Sequence, residues 1–278
     1  MKILRIAAFS DGEVGGNPAG VLIDDLHPDV AGMQKIAAEV GFSETAFAAP
    51  HADGGWRVRY FSPESEVPFC GHATIALGAA LASLHGEGIY PLQLNQAAIT
   101  VEGRRDGASF AAALQSPPTS SSPAPLDLVA RTLTVFGYTA ADLDPRLPPA
   151  LANAGASHLV IGLASRAALA AMAYELATGR ELMTNAGLVT IVFAFAENDQ
   201  LFHTRNPFAS GGVYEDPATG AGTAALAGYL RDLGWPHGGA IEVIQGEDMG
   251  MRSRLRAEIP AEPGSSIRVS GKARFLND

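Results

Sequence analysis

The chain has 278 residues, 47% hydrophobic and 17% charged, with 29 acidic against 19 basic side chains and a formal charge of −10. That suits two domains of ordinary size, leaves too little charge for extended disorder, and gives an acidic surface that argues against nucleic-acid binding. Cys70 is the only cysteine, which excludes an intramolecular disulfide and a cysteine-rich metal site; no run of about 20 strongly apolar residues predicts a membrane span, and with no evident leader the protein is expected in the cytoplasm.

In chain order, alternation predicts a strand over 3–9, then breakers at Gly12, Gly15, Gly16 and Asn17-Pro18, and a short strand over 21–23. Pro28 marks a helix start; Val30, Met33, Ile36, Ala37 and Val40 recur at helical spacing, and Gly41 stops the helix. Glu44 follows in Ser43-Glu44-Thr45-Ala46-Phe47, which alternates like a strand, and Trp56, Val58 and Tyr60 alternate with Arg57 and Arg59 in the next. The helix predicted over 71–84 differs in kind, because Ile75, Ala76, Leu77, Ala79, Ala80, Leu81 and Leu84 cover most of its circumference. A helix apolar all round belongs inside something. The strand-like segments around it suggest a curled sheet threaded by that helix.

The Ser- and Pro-rich stretch 116–125 reads as a linker, placing one domain over 1–118 and a second over 119–278. The second opens with a short helix on Leu126, Val129, Leu133 and Phe136, and a strand over 158–163. A helix capped by Ser165 would carry Leu169, Met172 and Leu176 and close at Gly179. The strongest strand follows over 188–196, a second apolar helix over 220–233, and strands over 241–245, 252–259 and 267–269. Past that opening short helix, each half thus reads as one surface helix and one central helix amid strands.

The two central helices are linked by an echo. Glu66-Val67-Pro68-Phe69-Cys70-Gly71-His72-Ala73-Thr74 returns 149 positions later as Glu215-Asp216-Pro217-Ala218-Thr219-Gly220-Ala221-Gly222-Thr223, with Glu, Pro, Gly and Thr coincident. A period this long is one domain-sized unit used twice. Each copy places a Pro and a Gly before a small-residue helix whose first N–H groups can receive an anion, so a ligand held between two domains is expected.

Among residues that could do chemistry, Glu44 has apolar neighbours, Phe42, Ala46 and Phe47, which disfavour a carboxylate's charged form and suit a group that must hold and release a proton; the alternative is a solvated glutamate on an edge strand. His72, at a helix start, could donate to a substrate carboxylate or act as an acid–base partner, or be a histidine satisfied by backbone. Asp216 could orient substrate or merely complement a helix dipole. The remaining histidines lack ligand spacing, so no metal site is expected. Cys70 and Thr219 occupy equivalent places; a threonine opposite a thiol disfavours a symmetric two-thiol racemase and leaves a one-base reaction.

Gly16-Asn17-Pro18-Ala19, Ser43-Glu44-Thr45-Ala46-Phe47, Tyr60-Phe61-Ser62-Pro63, the Cys70-Gly71-His72-Ala73-Thr74 block, Glu215-Asp216-Pro217-Ala218-Thr219-Gly220, Gln245-Gly246 and Val269-Ser270-Gly271 together resemble the phenazine-biosynthesis PhzF-like isomerase family over nearly the whole chain. The resemblance implies an α+β fold of the diaminopimelate epimerase type: two pseudo-symmetric domains, each a curled, barrel-like mixed sheet around a central helix. It also implies a cofactor-independent isomerase, usually a homodimer, acting on a small carboxylate-bearing metabolite. Glu44 would shuttle a proton, with His72 and Asp216 beside the substrate and Ser43, Cys70, Gly71, Thr219, Gly220 and Ala221 lining the site. Two positions depart from the family: Ala221 where a serine is common, and Gly250-Met251-Arg252-Ser253 where a Gly-Arg-Pro-Ser-like block is expected. A dehydratase or epimerase using Cys70 with Thr219, and a non-catalytic binding protein, are the alternatives.

Overall fold

A computed structural model describes residues 2–277. The chain divides into two compact units, one running to Gln115 and resuming at Ser270, the other Ser116–Val269.

The first unit begins with β1 (Leu4–Ser10), β2 (Asn17–Ile23), α1 (Val30–Val40), β3 (Thr45–Pro50), β4 (Trp56–Phe61) and the two-residue β5 (Glu66–Val67). Helix α2 (Gly71–His85) follows, then β6 (Gly88–Gln93), β7 (Ala98–Asp106) and β8 (Ser109–Pro118). The second comprises β9 (Ser120–Pro123), α3 (Leu126–Phe136), β10 (Ala150–Asn153), β11 (Ser157–Gly162), α4 (Arg166–Ala170), α5 (Leu176–Asn185), β12 (Thr190–Ala196) and β13 (Leu201–Phe208). It ends with β14 (Val213–Asp216), α6 (Gly220–Leu233), β15 (Ala240–Gln245), β16 (Ser253–Glu258) and β17 (Ser266–Phe275), whose last residues lie in the first unit.

The pairing pattern is used twice. In the first unit β1–β2 is antiparallel, β2–β3 parallel, β3–β4 antiparallel, β4–β6 parallel and β6–β7 antiparallel. In the second, β10–β11, β11–β12, β12–β13, β13–β15 and β15–β16 repeat that alternation in order. Helices bridge the parallel pairs in both, since a parallel crossover needs a long connection: α1 and α2 in one unit, α4–α5 and α6 in the other.

The central helices are where packing is decided. His72 through Ala82 is buried without a break, and α2 packs on β1, β2, β3, β6 and β7. Helix α6 is buried from Gly222 through Arg231 and packs on β9, β10, β11, β12 and β16. Each helix touches strands from both ends of its unit's strand order, so each sheet curls around its helix. Fully buried Ile75, Leu77 and Leu81 contribute roughly 1.5–3 kcal/mol apiece. Close approach is bought with glycine: a Cβ on Gly78 would lie 2.6 Å from Val101 Cγ2, and one on Gly103 would lie 2.2 Å from the Gly78 carbonyl.

Four expectations need correction. Residues 116–125 are not a linker: Pro and Ser favour extended backbone, and that backbone is recruited into β8 and β9, the latter pairing with β10. The Ser165-capped helix ends at Ala170, and a separate α5 is started by Glu175, whose carboxylate accepts from the Ala177 and Thr178 N–H groups. Gly179 lies inside α5 rather than after it, because Tyr174 packs where a Cβ would stand, 2.3 Å away. Leu84 is 57% exposed at the far end of α2 and Leu126 87% exposed at the first position of α3, so helical spacing placed both in a core they do not reach. The second unit consequently has three helices outside its central one, against one in the first.

Candidate active site

In the first unit the candidate residues converge at the start of α2. Glu44 stands one residue before β3, and its carbonyl accepts from the Gly20 N–H at 3.2 Å. Gly20 makes that approach possible, since a Cβ there would lie 2.6 Å from Thr45 Oγ1. With its backbone pinned to β2, Glu44 directs a carboxylate that is 15% exposed to within 3.4 Å of His72 Nε2. Exposed Ser43 places its hydroxyl 3.3 Å from the same nitrogen. Cys70 Sγ lies 3.4 Å from Nδ1 and 3.9 Å from Nε2, so the thiol stands beside both ring nitrogens. Nε2 thus faces the Ser43 hydroxyl and the Glu44 carboxylate, and which ring nitrogen carries the proton is set by these partners.

Thr74 and Tyr60 support this cluster from below. Thr74 Oγ1 donates to the Cys70 carbonyl at 2.7 Å and pairs with the Tyr60 hydroxyl at 2.7 Å, and burial raises Tyr60's pKa well above the ordinary phenol range. Cys70 is the N-cap of α2 but makes no side-chain cap, so the first N–H groups of the helix, at Gly71 and His72, keep their capacity for an anion. By contrast, α1, α4 and α5 are capped by Asp29, Ser165 and Glu175.

The second unit builds a related start at α6 with different side chains. The Thr219 hydroxyl, which occupies the N-cap position, makes no cap; it lies 2.6 Å from Asp216 Oδ2 and accepts from Gln245 Nε2 at 2.9 Å. Buried Gln245 also receives the Thr219 N–H on Oε1 and donates to the Asp216 carbonyl at 2.6 Å. Gly246, at φ 72°, lets the chain pass close by: a Cβ there would lie 2.8 Å from the Pro217 carbonyl. The N–H groups of Gly220 and Ala221 therefore start the helix uncapped, as those of Gly71 and His72 do.

The repeated glutamates brace both loops. Arg59 on β4 grips Glu66 through two hydrogen bonds of 2.7 and 2.6 Å, which hold that carboxyl below its ordinary range. Arg205 on β13 grips Glu215 through bonds of 3.0 and 2.6 Å and donates to the carbonyls of Ala170 and Met172. Sequence reasoning singled out the glutamates through the echo and Gln245 within a family block, but gave neither Gln245 nor the two arginines a place at the helix starts. Pairing across strands, not spacing, brings these together.

It also missed the donor set made by Glu44, Cys70 and His72, whose ligand atoms all lie within 4.8 Å of one another. A cysteine-rich set and a His–His spacing are the metal signals the sequence could be searched for, and Glu44 joins Cys70 and His72 from a different segment, just before β3. A groove of about 370 Å³ between α3 and α5, lined by Ala130, Val135, Leu182 and Asn185 among others, shares no residue with either helix start.

Comparison with known proteins bears on this arrangement. The family described as phenazine biosynthesis-like protein matches residues 6–278. Trans-2,3-dihydro-3-hydroxyanthranilate isomerase of Pseudomonas aeruginosa is 34% identical over 281 residues, covering 97% of this chain and 95% of the relative. A PhzF-family protein of Bacillus anthracis superposes with a TM-score of 0.85 at 20% identity, covering 100% of this chain and 98% of that one. A probable proline racemase of Agrobacterium radiobacter superposes at 0.66 with 13% identity, over 99% and 91% of the two chains. The two structural likenesses establish the fold, α+β of the epimerase type.

Proposed function

The chain belongs to the phenazine biosynthesis-like protein family and is an isomerase, and from that premise we propose that it shifts a proton between two carbons of a small carboxylate-bearing metabolite without a cofactor, with Glu44 as the acid–base. The observation that carries this reading is the position of Glu44: a largely enclosed carboxylate, pinned through its own backbone, 3.4 Å from a histidine at an uncapped helix start. Glu44 removes a proton from one carbon, the double bond shifts, and the same carboxyl returns a proton to another carbon. Electrons balance within the substrate, so no oxidant is required. His72 and Asp216 orient the substrate; Ser43, Cys70, Gly71, Thr219 and Gly220 line its surroundings, and Ala221 offers backbone alone. A homodimer belongs to the same proposal and is checked by sedimentation velocity.

A second reading is favoured by the contact of Cys70 Sγ with His72 Nδ1 at 3.4 Å. It makes Cys70 the base of a dehydratase or epimerase, with Thr219 as a positioning group, since that hydroxyl is already engaged by Asp216 and Gln245. The two readings separate in deuterated water, with trans-2,3-dihydro-3-hydroxyanthranilate and related cyclic amino acids as trial substrates. Glu44→Gln should lower turnover and deuterium incorporation by about 100-fold or more, while Cys70→Ser should stay within a few-fold of wild type. Full activity in Glu44→Gln would sink the leading reading, and loss confined to Cys70→Ser would install the thiol.

A further inference from the structure

Glu44, Cys70 and His72 bring together a carboxylate oxygen, a thiol sulfur and an imidazole nitrogen, the three donor types that zinc accepts. Among the described residues they form the one group of three such donors close enough to share an ion. Zinc bonds of about 2.0 Å to nitrogen or oxygen and 2.3 Å to sulfur set neighbouring donors of a tetrahedron roughly 3.3–3.6 Å apart. His72 Nε2 is 3.4 Å from Glu44 Oε2 and 3.9 Å from Cys70 Sγ, and because the sulfur stands nearer Nδ1, at 3.4 Å, a turn of the imidazole about Cβ–Cγ is what brings Nε2, the sulfur and the carboxylate onto one ion. The donors are also held on built elements: Cys70 and His72 by the start of α2, Glu44 by its backbone bond to Gly20. Cys70 and His72 are buried while Glu44 keeps partial exposure, so the cluster is walled by protein and open at the carboxylate.

We propose that this cluster binds one Zn²⁺ or similar divalent transition-metal ion through three protein donors, leaving a fourth position for water, and that the bound ion blocks turnover reversibly. On coordination the thiol releases its proton to buffer and the imidazole binds as the neutral base; nothing is oxidised or reduced. Mg²⁺ and Ca²⁺ take six or more oxygens and find one carboxylate here, so they are rejected. The blocking effect rests on the reading of Glu44 as the acid–base, because the ion takes up that carboxylate. Binding itself does not depend on that reading.

The test uses Co²⁺ as an optical probe on the whole, reduced, metal-free protein. Because Cys70 is the only cysteine, a thiolate-to-cobalt charge-transfer band reports that sulfur alone. The expected band saturates at one equivalent, is abolished by one equivalent of Zn²⁺, and ignores excess Mg²⁺. It disappears in Cys70→Ser, and Zn²⁺ binding weakens by at least about tenfold in His72→Asn and in Glu44→Gln, the lower end of what losing even an outer partner of a metal site costs. Circular dichroism and metal-free thermal unfolding establish that each variant is folded. Absence of the band in folded wild type, or Zn²⁺ affinity unchanged in both Cys70→Ser and His72→Asn, overturns the site. Stoichiometric binding with turnover intact at saturating Zn²⁺ overturns the blocking step and counts against Glu44 as the acid–base, while leaving the site standing.

Discussion

His158 shows how one residue outside the chemistry couples the fold to pH. It is fully buried on β11, with Nδ1 2.7 Å from Thr190 Oγ1, and burial pushes its pKa from 6.5 down to about 4. The unfolded chain takes up a proton near pH 6.5 while the folded one refuses it until about 4. Stability from this residue is therefore complete above pH 6.5 and is lost as the pH falls toward 4. At about 1.4 kcal/mol per pKa unit the full effect is at most about 3–4 kcal/mol. Urea unfolding at pH 7.5 and pH 5.0 should show wild type weakening more than His158→Gln over the same interval. Equal pH slopes in the two proteins would remove His158 from the account.

At the scale of elements, the two Arg–Glu clasps look alike but should differ in energy. Arg205 and Glu215, which tie β13 to β14, are 8% and 2% exposed, whereas Arg59 and Glu66, which tie β4 to β5, are 20% and 26% exposed. Removing one partner of a buried pair strands the other charge and costs about 3–5 kcal/mol, while a solvated pair contributes about 0–1 kcal/mol. Glu215→Gln should therefore lower the unfolding free energy severalfold more than Glu66→Gln, with chemical denaturation as the measurement. Similar losses in both would mean that the Arg205 guanidinium finds sufficient partners in the Ala170 and Met172 carbonyls alone.

At the scale of the whole molecule, the last strand serves the first. Residues Lys272 to Phe275 of β17 pair antiparallel with β1, and the Phe275 ring packs 5.7 Å from that of Phe110. Deleting residues 271–278 removes the β17 side of the pairing of Ile6, Ala7 and Ala8, which keep β2 on their other side, while leaving the β9–β16 pairings of the second unit in place. The truncated chain should expose β1 as an unprotected edge and become sensitive to protease within the first unit at denaturant concentrations where wild type resists. An unaltered digestion pattern and midpoint would show that β17 contributes little there.

What the sequence by itself determined was local or periodic. The all-round apolar helices came from composition that no surface helix tolerates, the end of α1 from Gly41 in a left-handed turn, φ 72°, and the duplication from an echo that needs no coordinates. Glu44, Cys70 and His72 were legible individually as chemistry-bearing types. Their contact was not, because it depends on Gly20 drawing β2 against the residue before β3 and on α2 beginning with its thiol uncommitted to capping. The 116–125 stretch was misread for a related reason: extended backbone is a property of the residues, but whether it becomes a linker or a strand depends on a neighbour's free edge. Gly179 followed the same rule, marking the space taken by Tyr174 instead of a helix end. Periodicity reports which face of an element is apolar; only tertiary packing decides which neighbour meets it, and here that choice assembled the carboxylate, the imidazole and the thiol.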